Sequence, residues 1–326
     1  MHQFWLRFIL PILLQLTPRQ ITEVGAEFGW NTRRLLDYCR ETGSRLHVID
    51  PILHPDLAAV FADFNDEYVY VQGKSLDVIA NLPAPDLVLL DGDHNWYTIN
   101  SELNLLYRRA AELGVAPPVA LMHDCAWPYA RRDMYYDPEA LNVAQRHPYA
   151  CLGFEPGRSE LFEAGMNGHL ANALHEGGRR NGVLTGIEDF VSESGLRAKL
   201  HVLPFFNGMG ILVPDARSTR QLDALIASFF QPESLLQTVR ELEESHMRSR
   251  VEYSQIIARF TRRTDALVRA RKLLNVRADE IVGLRREQEN LRAELGTAKA
   301  ELDTAKAELE SRQQTTEPQP EREPLA

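Results

Sequence analysis

Nowhere does this 326-residue sequence hold the run of ~20 apolar residues that a membrane span needs. Its closest approach, "FWLRFILPILLQL" near the N-terminus, is interrupted by Arg7 and Pro11 and has no small-residue cleavage site. That argues against a transmembrane span and a signal peptide and predicts an amphipathic helix packed on the domain that follows, with membrane insertion as the minor alternative. Cysteine is also scarce: Cys39, Cys125 and Cys151 form no short pairing motif. A disulfide framework is excluded, and a reducing, cytoplasmic setting is expected. Positive charge is wanting too. Residues 1–232 carry 19 basic and 28 acidic side chains, a net charge of −9. Such a surface argues against a nucleic-acid partner, whose phosphates need basic side chains.

What is there alternates. "ITEVG" (21–25), "RLHVID" (45–50), "YVYVQG" (68–73), "DLVLLD" (86–91) and "VALMHD" (119–124) read as strands. Between them lie helical stretches, including "NTRRLLDYCRETG" (31–43), with Asn31 as N-cap, and "TINSELNLLYRRAAELG" (98–114). Strands alternating with helices predict parallel pairing with helices on both faces. "GVLTGIEDFVSES" (182–194) is a further helix. "AKLHVLPF" and "MGILVPD", joined by "FNG", must then pair antiparallel, because so short a joint allows nothing else. The expected architecture is an α/β, Rossmann-like doubly wound sheet of five parallel strands plus an antiparallel end pair, within residues 1–232. Residues 126–182 interrupt it with an irregular insert rich in Trp, Tyr, Arg, Gly and Pro, read as an ordered lid.

From residue 235 the period changes. Positions alternately three and four apart, from Leu235 to Leu309, hold 17 apolar residues of 22 in one unbroken register. That is a coiled-coil seam, and a straight helix of this length would measure roughly 110 Å. A single solvated helix held by charge pairs is the competing reading, but it leaves too much leucine exposed. Of the five remaining positions, Arg263, Arg277 and Gln288 lie among apolar neighbours. The arginines can carry their heads to solvent, whereas Gln288, at an a position, would satisfy its amide against Gln288 of a parallel partner. Residues 233–312 are therefore expected to assemble the chain into a parallel homo-oligomer. The basic cluster 259–277 is read as the solvated face of the same helix, and residues 313–326 as a disordered tail.

Chemistry-bearing residues gather at the strand ends. In "EVGAEFGWNT" (23–32), Gly25 and Gly29 stand between a strand and a helix, where glycine lets backbone approach a ligand near a helix N-terminus. The pattern is not GxGxxG, which weakens a nicotinamide-dehydrogenase reading. Asp50 ends the second strand, where a carboxylate can accept both hydroxyls of a ribose. "DGDH" (91–94) ends the fourth. Two carboxylates and an imidazole there suggest an active site at the carboxyl end of a parallel sheet. The plainer alternative keeps Asp91 as a turn former and His94 as a helix cap.

Taken in this order, the residues resemble the class I S-adenosylmethionine-dependent methyltransferases, over residues 15–215. The matching positions are Glu23, Gly25 and Gly29, then Asp50, then Gly73 and Ser75 of "GKS", then Asp91. "DGDH" followed by "ALMHD" looks like the branch with a DGxH motif that includes sugar and antibiotic O-methyltransferases. The resemblance implies S-adenosylmethionine as cofactor, with Glu23, Gly25, Gly29, Asp50, Gly73, Ser75 and Asp91 binding it. It implies His94, Asp91 and Asp124 as catalytic residues, His94 being the base, a role its pKa near the operating pH suits. It also implies a divalent cation held by Asp91 and an acidic pair after the fifth strand. Here that pair is His123 and Asp124, a departure at His123, since imidazole suits softer ions than Mg²⁺. Asp93 is an extra carboxylate that could compensate.

The expected acceptor is a sugar, glycan or small glycosylated molecule. Trp127, Tyr129, Tyr135 and Tyr136 could form its platform or simply pack the lid. Arg131 and Arg132 could clamp an anion or pair with the domain's own acids. Cys125 is read as a small buried hydrophobe. A catalytically silent domain anchoring a coiled-coil scaffold is the alternative function, but it gives no reason to crowd acids around His94.

Overall fold

The computed structural model describes residues 1–314, in two units, Met1–Leu235 and Leu236 onward. The N-terminal apolar segment opens with a 3₁₀ turn (His2–Phe4) and a π turn (Trp5–Ile9), then α1 (Leu10–Leu16). Pro11 sits in the first turn of α1, where its missing N–H costs nothing. Phe4, Phe8, Ile9, Ile12 and Leu13 are buried, while Leu6 and Leu14 face outward at 75% and 61% exposure. The segment is amphipathic as expected, though only its second half is α-helical. No helix among the described residues is long and apolar enough to cross a membrane.

The alternation then unfolds as read: β1 (Gln20–Val24), α2 (Trp30–Thr42), β2 (Arg45–Asp50), α3 (Pro55–Phe61), β3 (Tyr68–Gln72), α4 (Ser75–Val78), β4 (Leu87–Leu90), α5 (Trp96–Glu112) and β5 (Val119–His123). Side chains along each strand divide between two cores. Leu87, Leu89, Val119 and Leu121 join the N-terminal segment, α2 and α3 on one face. Val88, Leu90, Ala120 and Met122 join α5 on the other. Period-2 alternation with both faces covered is what makes these strands near-continuous apolar runs.

Two expectations need correction. The cap of α2 is Gly29, in the left-handed region at φ 79°, not Asn31. Asn31 is buried one residue inside the helix, and its amide donates to Glu23 Oε1 at 2.8 Å. Nor is the insert irregular. It holds β6 (Met134–Tyr135), β7 (Tyr149–Ala150), β8 (Gly153–Glu155), β9 (Arg158–Phe162) and β10 (Ala171–Ala173). Of these, β6, β10 and β7 make a three-stranded antiparallel sheet, and β8 and β9 a hairpin.

After the insert come α6 (Val183–Glu193), β11 (Ala198–Leu203) and β12 (Met209–Pro214). The main sheet has the order β11-β12-β5-β4-β1-β2-β3, seven strands among the described residues. The last two are antiparallel to each other, as expected, but they do not simply extend the sheet in chain order. β12 enters between β5 and β11 and is antiparallel to both, so β11 runs parallel to the first five. Burial explains the choice. β12 is buried throughout, whereas β11 exposes parts of Lys199 and His201 and takes the edge, where lysine discourages further pairing.

The helix α7 (Arg220–Phe229), absent from the sequence reading, is capped by Thr219, whose Oγ1 accepts from Leu222 N at 3.1 Å. Its Leu222, Ile226 and Phe229 complete the first core. The chain ends in α8 (Pro232–Gln314), one continuous helix. Beyond its first residues the expected tail lies outside the described residues.

Candidate active site

Gly25, Asp50, Asp91, His94 and Asp124 meet at the carboxyl edge of the sheet. The loop after β1 passes so close to the end of β4 that a Cβ on Gly25, at φ 82°, would lie 2.2 Å from the Asp91 carbonyl oxygen. Only glycine fits both that dihedral and that approach. Asp50 closes the same loop from β2. Its Oδ2 accepts from Ala26 N at 2.9 Å and Glu27 N at 3.1 Å, and Oδ1 accepts from Ile52 N at 2.8 Å. Glu23 lies beneath, buried, with Oε2 accepting from Thr32 Oγ1 at 2.7 Å. Burial pushes the Glu23 carboxyl up to about 7, although Thr32 and Asn31 oppose this by bonding its charged form.

Gly73 donates its N–H to Asp50 O at 3.3 Å, and Ser75 is buried at the start of α4. Sequence reasoning missed a further residue, Glu102. Glu102 projects from α5 and is 2% exposed, with Oε1 unpartnered. Burial pushes it up to about 8. No local signal marked it, because a lone Glu in an amphipathic helix usually faces solvent.

At the end of β4, Asp91 Oδ1 lies 3.0 Å from His123 Nδ1, and Asp91 Oδ2 accepts from the Met1 ammonium at 3.0 Å. His123 Nδ1 is also 3.0 Å from Asp124 Oδ2. The other ring nitrogen, Nε2, is 3.0 Å from the Phe206 carbonyl and must donate to it. Nδ1 is thereby turned toward two carboxylates. Burial alone would lower the His123 pKa, but Asp91 and Asp124 outweigh it and raise the imidazole to about 10. The same pairing holds both acids low, against the desolvation that would raise them. Asp124 takes the left-handed region at φ 57°, a conformation that Asp tolerates better than most residues.

His94 stands over this group. Its Nδ1 is 3.3 Å from Asp124 Oδ2 but outside hydrogen-bonding geometry, so this buried nitrogen has no hydrogen-bond partner among the described residues; Nε2 is 3.8 Å from Asp91 Oδ1. His94 is not a helix cap: Asn95 caps α5, accepting from Thr98 N at 2.8 Å. The rings of Tyr129 and Tyr136 flank His94 at 5.5 and 5.8 Å between centroids.

Other candidates are drawn elsewhere. Asp93 turns away from the carboxylates and accepts from Asn95 and Thr98 Oγ1 of α5 and from Tyr136 N, so it does not compensate for the missing acid. Arg131 forks onto Glu188 at 2.6 and 2.9 Å, and Arg132, 1% exposed, bonds the Ala173 and Ser159 carbonyls. Neither is free to clamp a ligand. Tyr129 and Tyr135 are buried, the Tyr135 hydroxyl donating to Asp133 Oδ2 at 2.8 Å, so of the four expected platform aromatics Trp127 and Tyr136 are the exposed ones. Cys125 is buried, and burial raises its thiol pKa. A second missed residue, Asp133, latches the insert to α5: its Oδ1 accepts from Trp96 N and Gly182 N, both at 2.7 Å.

Asp91, His123 and Asp124 offer ligand atoms within 4.8 Å of one another. The set fits a cation in its donor chemistry. Two carboxylates converge, and His123 donates its other ring N–H to a backbone carbonyl, as metal-bound histidines do.

No family model matches the sequence, and no curated protein matches it. Among solved structures, it is similar to an SAH-bound methyltransferase of Podospora anserina at 13% identity, TM-score 0.39, over 64% of this chain and 76% of that one. A 1,6-didemethyltoxoflavin-N1-methyltransferase of Burkholderia thailandensis aligns at 13% identity, TM-score 0.35, over 63% and 75%. Human N-acetylserotonin methyltransferase in complex with SAM aligns at 14%, TM-score 0.34, over 63% of this chain and 50% of its own.

Proposed function

We propose that the chain is an S-adenosylmethionine-dependent O-methyltransferase whose acceptor is a hydroxyl of a sugar, glycan or glycosylated natural product. The observation that carries this reading is the gathering of the Gly25 loop, Asp50, Asp91, His94 and Asp124 at one sheet edge. In open α/β sheets ligands bind at the carboxyl ends of the strands.

The cofactor supplies an electrophilic methyl group on a sulfonium. Asp91, at the end of β4, would offer its carboxylate to the ammonium of the cofactor's amino-acid moiety. Asp50 bonds three backbone amides, so a ribose hydroxyl would take its remaining capacity on Oδ1. His94 would accept the acceptor's hydroxyl proton, freeing the oxygen to attack the methyl group that the bound cofactor would supply. Asp124, 3.3 Å from Nδ1, stabilises the imidazolium that results.

Asp91, Asp124 and His123 Nδ1 would hold a divalent cation, which would acidify and orient the hydroxyl. Tyr136 and Trp127 offer the apolar faces on which sugars rest. The internal pairing of Arg131 and Arg132 favours a neutral acceptor over an anionic one. The seam of α8 supports homo-oligomeric assembly.

The test is His94→Ala. Turnover should fall on the order of 10²–10⁴-fold while calorimetric cofactor affinity survives. Retained turnover would remove His94 from the mechanism, and activity unchanged by EDTA would remove the cation.

A further inference from the structure

The seam residues of α8 are exposed along its whole length: Ile281 53%, Leu284 64%, Leu291 59%, Leu295 57%, Leu302 54% and Leu309 60% toward its end. So regular an apolar stripe on a solvated helix marks an interaction surface. Its own charges identify the occupant. With Gln288 at a and Leu291 at d, the g positions are Glu280, Glu287, Glu294 and Glu301, and the e positions are Arg285, Arg292, Lys299 and Lys306. Four successive heptads thus place an acid at g and a base five residues on at e.

In a parallel, in-register pair, each g residue faces the e residue of the next heptad on the partner. Glu280 would meet Arg285, Glu287 Arg292, Glu294 Lys299 and Glu301 Lys306, all attractive, on both flanks of the seam. An antiparallel pair would set g against g and e against e, hence acid against acid and base against base. Among the described residues, Glu287, Glu294 and Glu301 make no ion pair within their own helix; Glu280 bonds Arg277 at 2.8 Å.

We propose that residues 280–309 dock a second copy of this chain, parallel and in register, with these glutamates and basic residues setting orientation. The inference rests on the coiled-coil reading of α8 and is independent of the catalytic one.

Cys151 is the exposed cysteine, and Cys39 and Cys125 are buried, so Cys151→Ser gives a background suited to cross-linking. In it, full-length Leu302→Cys should oxidise to a covalent dimer, since like a residues of a parallel pair lie within disulfide reach. Changing all four g glutamates to Lys should weaken self-association, read by sedimentation, at least about tenfold. Changing the four e residues to Glu in that variant should restore it, which separates charge pairing from misfolding. A full-length chain sedimenting at its monomer mass of 37.1 kDa at micromolar concentration overturns the proposal. So does an oligomer that fails to cross-link at 302, or one indifferent to the charge reversal.

Discussion

Glu102 shows what burial without full pairing does. It is 2% exposed, and its Oε1 has no hydrogen-bond partner among the described residues. Its folded value of about 8 lies above the ordinary 4.5. A raised carboxyl contributes stability that is present below pH 4.5 and is lost as pH rises through about 8. Glu23 adds the same trend, ending near 7. Glu102→Gln keeps the shape and a neutral amide. Its Tm should match wild type near pH 4.5 and exceed it at pH 8–9, where the shift corresponds to a few kcal/mol at about 1.4 kcal/mol per unit. Equal Tm values across that range in thermal melts would mean that water reaches the carboxylate.

At the scale of elements, Asp50 organises a loop whatever it does for the proposed cofactor. Three backbone amides converge on its carboxylate, two from the Gly25 loop and one from the residues after β2. Asp50→Ala should therefore weaken cofactor binding by about 1.5–3 kcal/mol, the range for hydrogen bonds to a charged group. It should also loosen the loop. Hydrogen exchange at the Ala26 and Glu27 amides should speed up even without cofactor. Unchanged exchange would reduce Asp50 to a direct contact alone. The insert is joined to the same edge through Asp133, which receives amides from Trp96 and Gly182, so the strands around Tyr136 are held to the segment that carries His94.

Taken whole, the chain divides its buried surface unevenly. All three hydrophobic clusters among the described residues draw on positions up to Phe229. α8 contributes none of them, and its apolar residues are exposed. A chain truncated after Leu235 should consequently unfold in one cooperative transition, with calorimetric and van't Hoff enthalpies in agreement. Loss of cooperativity in that truncation would mean that the first unit depends on the helix to fold.

The sequence by itself determined whatever depends on local period and local chemistry. Five apolar strand runs separated by helices specified a parallel sheet with both faces covered. The unbroken three–four spacing from Leu235 to Leu309 specified one long helix, observed over Pro232–Gln314. Glycine at 25 signalled a close backbone approach, expected toward a ligand; the structure shows that it also admits the Asp91 carbonyl. Only the tertiary structure decided relations between distant residues. The insertion of β12 beside β5 follows from burial competition between two strands of one hairpin, and the apolar run "MGILV" against the mixed "AKLHV" was a hint legible only afterwards. Arg131, Arg132, Tyr135 and Asp93 looked available in sequence, yet each is taken up by partners near or far along the chain. The His123 ring is turned by a carbonyl 83 residues away. Which polar group is free and which is satisfied depends on three-dimensional partners, and adjacency along a chain does not encode them.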